Sequence, residues 1–567
     1  MKNITDWSKI VAEKDAALSE KDARIVELEA LVKFYEGQFR LAKHRQFGIS
    51  SEKSEYDGRS NEQLNLFNEA EATADANITE PALTEISRHF RKRKRLINDR
   101  LPENLPIETV EHDLPANEQI CPACDGDLHA MGREKRRELV IIPAKVLIRE
   151  HIRKVYACRD CEKDEFGVPI VKSPIDNPVI KGSFASPEAI AHIMYQKFVM
   201  ASPLYRQEQD WNRQGIMLSR QTMSNWLIRA TEDWLEPIYY ALRELMLFNY
   251  TELHADETTL QVLREPGKAA QSKSYMWLYR TSGYMGDRYN RYNAAPSQNA
   301  AGQNMTNQNA QYAVSQNTPR TTHPIVLYEY QPGRKAKYPA EFLKGYEGFV
   351  HADGYEVYHG LSPNIIIVGC WAHARRKFDE ALKSLPESDR GDSNALIGKR
   401  YCDKLFDLER QFADMTPDER YQKRQELSKP IMDAFFAWLG TLRILPKAPV
   451  GVAAQYALKQ RQYLERYLTN GRLEISNNRA ERSIKPFVIG RKNFLFANTP
   501  RGAKASAIIY SIIETAKESG LNPFTYLTYI FQNAPNWDIR NDMNALQNLL
   551  PAFVPDEVRA VIVSSDN

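Results

Sequence analysis

No run of about 18 apolar residues occurs in this chain, which excludes a membrane-spanning helix. The first residues are charged and lack an apolar h-region, so no secretory signal is expected. Cysteine is scarce, at six in 567 residues. In a chain without an export signal, so few cysteines read as a metal site and not as a disulfide framework. An excess of one charge is also lacking: 76 basic against 73 acidic residues leave a formal net charge of +3. That total is too mild to imply a nucleic-acid partner, which has to be read from local clusters instead. The length exceeds a single core and suits roughly three to five domains. These absences point to a cytoplasmic, nucleoid-associated protein with no membrane partner.

What is present is segmented. Apolar residues recur every seven positions at Ile4, Val11, Leu18, Ile25, Val32 and Phe39. The companion seam (Trp7, Lys14, Lys21, Leu28, Tyr35, Ala42) is weaker. This pattern predicts a coiled coil over 1–48 and self-association through it. A solitary amphipathic helix is the bland alternative. A polar linker over 49–100 ends in a basic run, with Arg88, Arg91, Lys92, Arg93, Lys94 and Arg95 close together. Such a run repels itself unless a polyanion lies beside it, so phosphate contact is expected.

Cys121 and Cys124 form one CxxC pair, Cys158 and Cys161 another. Four thiolates suit tetrahedral zinc, and four protein ligands leave no open position for a substrate. A structural Zn2+ in a zinc-ribbon domain over 101–175 is the expectation, with strand character at 139–148. Residues 180–245 read as helices. The segment 215–226 resembles the turn and second helix of a helix-turn-helix, with Ser219 as N-cap. Arg220, Gln221, Ser224 and Asn225 are residue types that read base edges. A helical hairpin packed on a core is about as good a reading.

From residue 250 the texture changes to strands, over 251–262, 274–280 and 324–330. A helix at 339–345 leads to a strand ending at Asp353, and 364–369 makes another strand. Three strands, then helix, strand, helix is the order of a ribonuclease-H-like core. Its first part is placed at 246–370, with a flexible Gln/Asn-rich insertion at 284–322. A helical insertion domain covers 371–472, the second part of the core 473–520, and a helical segment 521–567. The fold class is multidomain α+β, with a mixed-sheet catalytic core.

Transfer of phosphodiesters needs an activated oxygen and a neutralised leaving group, which two Mg2+ or Mn2+ ions supply. Hard ions want carboxylate oxygens. Asp256 lies within a strand flanked by apolar residues, an unusual place for an acid unless it is paired or metal-bound. Strand alternation points its neighbour Glu257 to the other face. Asp353 leaves a short apolar strand, followed by Gly354. Glu481 stands among Arg479, Arg482 and Lys485, with Arg491 and Lys492 further on; Glu474 is its rival. In the block 370–378, Trp371, His373, Arg375 and Arg376 are candidates for DNA contact, with Trp371 free to stack on a base. The bland reading buries Trp371 at a helix start. Cys370 and His373 alone are too few for a metal site.

The chain resembles the large-subunit transposases of insertion-sequence family 66. The resemblance rests on the N-terminal heptads, the basic run, CPAC with CRDC, HADETTLQV, HADGYEVY, CWAHARRKF and SNNRAERSIKPFVIGRKNFLF. It implies a DDE-type enzyme with Asp256, Asp353 and Glu481 as metal ligands. It also implies DNA partners (transposon ends and target) and small accessory proteins of the same element. The implied ligands are separated by 97 and 128 residues; the wide second gap calls for a helical insertion. Two alternatives remain at this point: a non-catalytic DNA-binding regulator, and a metal-dependent DNA nuclease.

Overall fold

The computed structural model describes residues 174–282 and 324–559, two short strands at 155–157 and 170–172, and scattered positions before them. The four paired cysteines, the basic run with Arg91, Lys92, Arg93, Lys94 and Arg95, and the Gln/Asn-rich segment lie outside the described residues. The chain divides into two units, Met1–Arg59 with Asp176–Ile562, and Ser60–Ile175 with Val563–Asn567.

In the smaller unit, strands β1 (Val155–Ala157) and β2 (Ile170–Lys172) pair antiparallel. In sequence they bracket Cys158 and Cys161. Val146 and Ile148, expected in a strand, carry no regular structure and are exposed.

The larger unit opens with the heptad segment. Its described positions Leu18, Ile25, Leu28, Val32 and Tyr35 are helical, and all five are exposed. Four helices follow: α1 (Pro187–Phe198), α2 (Leu204–Arg213), α3 (Arg220–Ala230) and α4 (Glu236–Asn249). Between α2 and α3 the chain turns at Gly215, whose φ of +78° favours glycine. Ser219 caps α3 as expected, its hydroxyl accepting from the Thr222 N–H at 3.1 Å. Helix α3 buries Met223, Trp226, Leu227 and Ala230, and leaves Arg220, Gln221 and Asn225 exposed.

A five-stranded mixed sheet forms the centre: β3 (Glu252–Gln261), β4 (Lys273–Thr281), β5 (Val326–Gln331), β6 (Gly348–His351) and β7 (Ile365–Val368). Their order is β5-β4-β3-β6-β7. The first three pair antiparallel; β6 and β7 run parallel to β3. The expected strands agree with these to within one or two residues. Short helices α5 (Lys337–Phe342) and α6 (Glu356–His359) flank β6.

After β7 the chain is helical: α7 (Trp371–Lys383), α8 (Asn394–Gln411), α9 (Pro417–Lys423), α10 (Lys429–Thr441) and α11 (Pro449–Leu464). They enclose their own apolar core around Trp371, Phe378, Leu405 and Phe435. The chain then returns to the sheet with α12 (Asn478–Phe494), α13 (Pro500–Glu518) and α14 (Pro523–Asn533). Two short helices, α15 (Met543–Gln547) and α16 (Asp556–Arg559), end the described chain. Helix α13 covers the edge strand β5. Thr515 and Ser511 hydroxyls accept from the Val326 and Tyr328 N–H groups at 3.0 and 2.7 Å, so the open edge is satisfied by side chains. Arg280 of β4 is buried and reaches Glu518 of α13 with two hydrogen bonds, 3.0 and 3.1 Å. None of the described helices is long and apolar enough to cross a membrane.

Candidate active site

The register of β3 and β6 brings the two aspartates together. His254 on β3 pairs with His351 on β6, and the strands run parallel. Each chain places an aspartate two residues later, so Asp353 emerges at the level of Asp256. On β3 the side chains of His254 and Asp256 share a face, because strand side chains repeat every second residue.

Helix α12 brings the third acid. It lies along β3 and is pinned at both ends. At its start, the Asn477 amide donates to the Ala255 carbonyl at 2.8 Å, and its Oδ1 meets His254 Nδ1 at 3.0 Å. The Asn477 N–H donates to Cys370 Sγ at 3.1 Å. Past its end, Ala497 exchanges backbone hydrogen bonds with Gln261 and Leu263 at 2.9 and 3.0 Å. Glu481 therefore sits one turn into a helix whose start is fixed to the strand of Asp256.

Asp256 feels the other two acids. Burial pushes the Asp256 carboxyl well above the usual carboxylate range, and the charges of Glu257, Asp353 and Glu481 push it further. The Glu257 N–H, donating to Asp256 Oδ1 at 2.8 Å, opposes that rise. Asp353 Oδ1 accepts from the Tyr355 N–H at 3.0 Å, which fixes the turn after β6. Glu257 points elsewhere, as alternation requires, to Arg334 at 2.8 Å and the Tyr358 hydroxyl at 2.5 Å. Gly354 is close to protein: a Cβ there would lie 2.8 Å from the Tyr456 ring of α11. The space beside Gly354 is thus taken by α11.

Helix α7 faces Glu481. Arg376 Nη2 donates to Glu481 Oε2 at 3.1 Å, and His373 Nδ1 lies 3.6 Å from Glu481 Oε1. Cys370, His373 and Glu481 offer ligand atoms within 4.8 Å of one another. The sequence-level pair of Cys370 and His373 thus gains a third member. Burial pushes the Cys370 thiol up to about 12, which disfavours the thiolate a metal would need.

One expected DNA contact needs correction, and several of the expected cations have protein partners. Trp371 is fully buried and its indole N–H donates to the Leu464 carbonyl at 3.0 Å, so its ring is not available to a base. Burial of this ring builds the core of the helical insertion, which the sequence cannot distinguish from a stacking platform. Arg375 is paired with Asp403, and Arg376 with Glu481. Arg479 is held by Glu474 at 2.6 Å, which also engages the rival acid. Arg491 donates to Thr258 and Thr259 of β3. His373 faces Glu481. By contrast Arg482, Lys485 and Lys492 are exposed on one side of α12, and Arg220 is exposed at the start of α3.

Some site residues carried a signal that went unread. HAD occurs in both strand motifs, at 254–256 and 351–353. The repeat marks the stacked histidines as well as the acids. Asn477 lay inside the quoted SNNRAERS block, and only the fold shows that it joins α12 to both β3 and Cys370.

The described molecule is thus a mixed-sheet α/β protein with one acid in the middle of β3, one just after β6 and one in the first turn of α12, beside a cationic helix face. Comparison with protein families gives four matches. The model described as Transposase IS66 family matches residues 182–505, and the IS66 C-terminal element matches 511–552. The zinc-finger binding domain of transposase IS66 matches 118–162, and Transposase C of IS166 homeodomain matches 35–110. The chain belongs to the IS66 transposase family. Membership makes it an insertion-sequence transposase that binds DNA, and implies divalent-metal use and a zinc-binding segment. Relatives occur in Sinorhizobium fredii (strain NBRC 101917 / NGR234). Uncharacterized protein y4jD is 28% identical over 80% of this chain and 81% of its own length. Uncharacterized protein y4hP is 28% identical over 89% of this chain and 86% of its own length.

Proposed function

We propose that this transposase cleaves DNA at the ends of its own element and joins the freed ends to target DNA, with Asp256, Asp353 and Glu481 as ligands of two divalent ions. The observation that carries the reading is geometric: the parallel register of β3 and β6 brings Asp353 out at the level of Asp256, and Asn477 pins the start of the Glu481 helix to Ala255 beside Asp256. The charges of Asp353 and Glu481 reach Asp256 in its buried setting, and cations between such acids would relieve the repulsion. The donor set is all oxygen, which suits Mg2+ or Mn2+. The buried Oε1 of Glu481 makes no hydrogen bond and lies 3.6 Å from His373 Nδ1, which leaves it a lone pair for a ligand. When bound, such ions activate the attacking oxygen and neutralise the leaving one.

The strand order β5-β4-β3-β6-β7, followed by a helical insertion and a return helix, supports a ribonuclease-H-like core. In the first step a water oxygen bonds to phosphorus and the P–O bond to the 3′-oxygen breaks, which leaves a 3′-hydroxyl. In the second, that hydroxyl attacks a target phosphodiester: one P–O bond forms and one breaks. Arg376 and His373 position Glu481, and Asn477 fixes α12 against β3. Arg482, Lys485 and Lys492 form an exposed stripe that suits phosphate contact. Helix α3 offers Arg220, Gln221 and Asn225 to base edges. The exposed heptad positions support self-association, and the cysteine pairs support a structural zinc. The domain boundaries expected from the sequence, and the need for accessory proteins, belong to this same proposal.

Asp256→Ala tests the division of labour. Cleavage and joining of element ends should vanish while end binding stays within about two-fold of wild type. Loss of binding as well would contradict it.

A further inference from the structure

The end of α12 opposite Glu481 borders a cavity that the three carboxylates do not share. Its volume is about 560 Å3, and it lies between the start of α2, the end of α1 and the last residues of α12. That size is within the range of small-ligand sites.

The cavity is built from cations and rings. The Lys197 ammonium lies 4.7 Å from the centroid of Phe494 and 5.2 Å from that of Phe198. These rings strip its water, and burial alone brings its pKa down to about 8. Among the described residues no carboxylate is paired with it. Its side chain still borders the cavity, so an anion there would replace the missing counter-charge. Arg206 adds a second, exposed cation.

Tyr205 and Phe496 line the same space with half-exposed rings, 52% and 43%. Tyr205 is held on two sides: Gln209 donates to its hydroxyl at 2.7 Å, and the Arg220 guanidinium of α3 lies 5.5 Å from its ring. The backbone at the rim is strained. Ala201 and Leu495 have φ of +53° and +65°, and they are the non-glycine residues with positive φ among those described. Asn493 of the cavity wall donates to the Ala201 carbonyl at 3.2 Å, which joins the two strained points. Leu495 turns the chain between Phe494, which faces inward, and Phe496, which faces out.

Half-exposed rings, uncompensated cations and amides are the residue set that holds a nucleotide outside a duplex: rings stack on the base and cations take the phosphate. We propose that this cavity receives one unpaired nucleotide of the DNA strand bound at the carboxylates, its base against Tyr205 and Phe496 and its phosphate against Lys197 and Arg206. The inference rests on the DNA-processing reading above. Phe494 is 13 residues along α12 from Glu481, about 20 Å at 1.5 Å per residue. At about 3.4 Å per nucleotide, the captured base lies roughly six nucleotides from the phosphate at the acids.

Photo-crosslinking tests this. Full-length protein is irradiated with element-end duplexes that carry 5-iododeoxyuridine at successive positions, and the crosslinked peptide is sequenced. Efficient crosslinking at one position, roughly six nucleotides from the cleaved phosphate, to Tyr205 or Phe496 is the expected result. Phe496→Ala should lower that yield about ten-fold, and Lys197→Met should weaken end binding about ten-fold. Crosslinks elsewhere, in protein that joins strands normally, would overturn the cavity inference and leave the proposed function standing. Wild type that neither binds nor joins element ends, with its neighbouring gene products present, would overturn both. A last arm uses free 5-iododeoxyuridine monophosphate. Labelling of the same rings that excess end DNA does not compete away would assign the cavity to a free nucleotide and overturn the strand-bound version.

Discussion

His254 and His351 stack face to face, with ring centroids 4.4 Å apart and planes 13° from parallel. Both are fully buried, and burial holds both imidazoles well below the usual histidine range, hence neutral. The stack sits across the parallel pair β3 and β6, two residues before Asp256 and Asp353. It therefore fixes the level at which the two acids emerge. Asn477 locks the near side through His254 Nδ1, and the Glu474 N–H meets His351 Nε2 at 3.4 Å.

Asn477→Ala should disturb the site without touching DNA. The change leaves the Ala255 carbonyl and His254 without their partner, at a cost of about 2–4 kcal/mol for two buried groups. Strand transfer should fall at least about ten-fold, since small misplacements of catalytic groups are costly. Binding of element ends should stay within about two-fold. Equal loss of binding and transfer would contradict a positioning role.

Divalent ions should stabilise the fold through the three acids. A ligand at ten times its Kd adds about 1.4 kcal/mol to stability. Thermal melting with Mn2+ should show this for wild type and not for Asp256→Asn. Without metal, the Asn variant should melt at or above wild type at neutral pH, because one mutually repelling charge is gone. A metal response in the variant equal to wild type would remove Asp256 from the ligand set.

Glu329 on β5 sets a pH dependence away from the active site. Burial pushes its carboxyl up to about 7, and its Oε2 has no hydrogen-bond partner. Its folded-state pKa is raised, so the folded chain binds more protons than the unfolded one between about 4.5 and 7. The stability it contributes is present at low pH and lost as pH rises through 7. The loss is up to about 3 kcal/mol, at 1.36 kcal/mol per unit. Glu329→Gln should flatten this dependence and raise the melting temperature at pH 8 relative to wild type. Parallel pH profiles of the two proteins would contradict the assignment.

The helical insertion has its own weak point. Arg424 is fully buried and forms two hydrogen bonds with Glu409, at 2.8 and 2.6 Å, and further ones with the carbonyls of Tyr467, Asn470 and Leu473. Those carbonyls belong to the chain that leads into α12. Glu409→Ala leaves a buried charge without its partner and should cost about 3–5 kcal/mol. Arg424→Met with Glu409→Leu removes both charges but leaves the three carbonyls without their donor, so it should recover only part of the loss. A single variant with unchanged denaturant midpoint would show that the pair does not hold the insertion.

The strand runs at 251–262, 274–280 and 324–330 were legible because β-branched and aromatic residues cluster between turn signals. The apolar strand settings of Asp256 and Asp353 pointed to the aspartates, and the block around Glu481 to the third acid. The fate of cations was not legible. Arg375, Arg376, Arg479 and Arg491 look like DNA ligands in sequence, yet each is spent on a partner that only the folded chain brings near. Trp371 failed for a related reason: a tryptophan at a helix start is compatible with a core or a base, and the partner helices α8, α10 and α11 decide. Lys197 gave no signal, because the closer of its two rings, Phe494, comes from α12, nearly 300 residues away.

The most direct test is strand transfer in vitro, with purified full-length protein, Mg2+ or Mn2+, and labelled duplexes from the ends of the encoding element, together with its neighbouring gene products. Wild type should give joined products, and Glu481→Gln should give none while binding the same ends. Joined products of equal yield from Glu481→Gln would contradict the assignment of the third acid, and cleavage by wild type without joining would make the chain a nuclease.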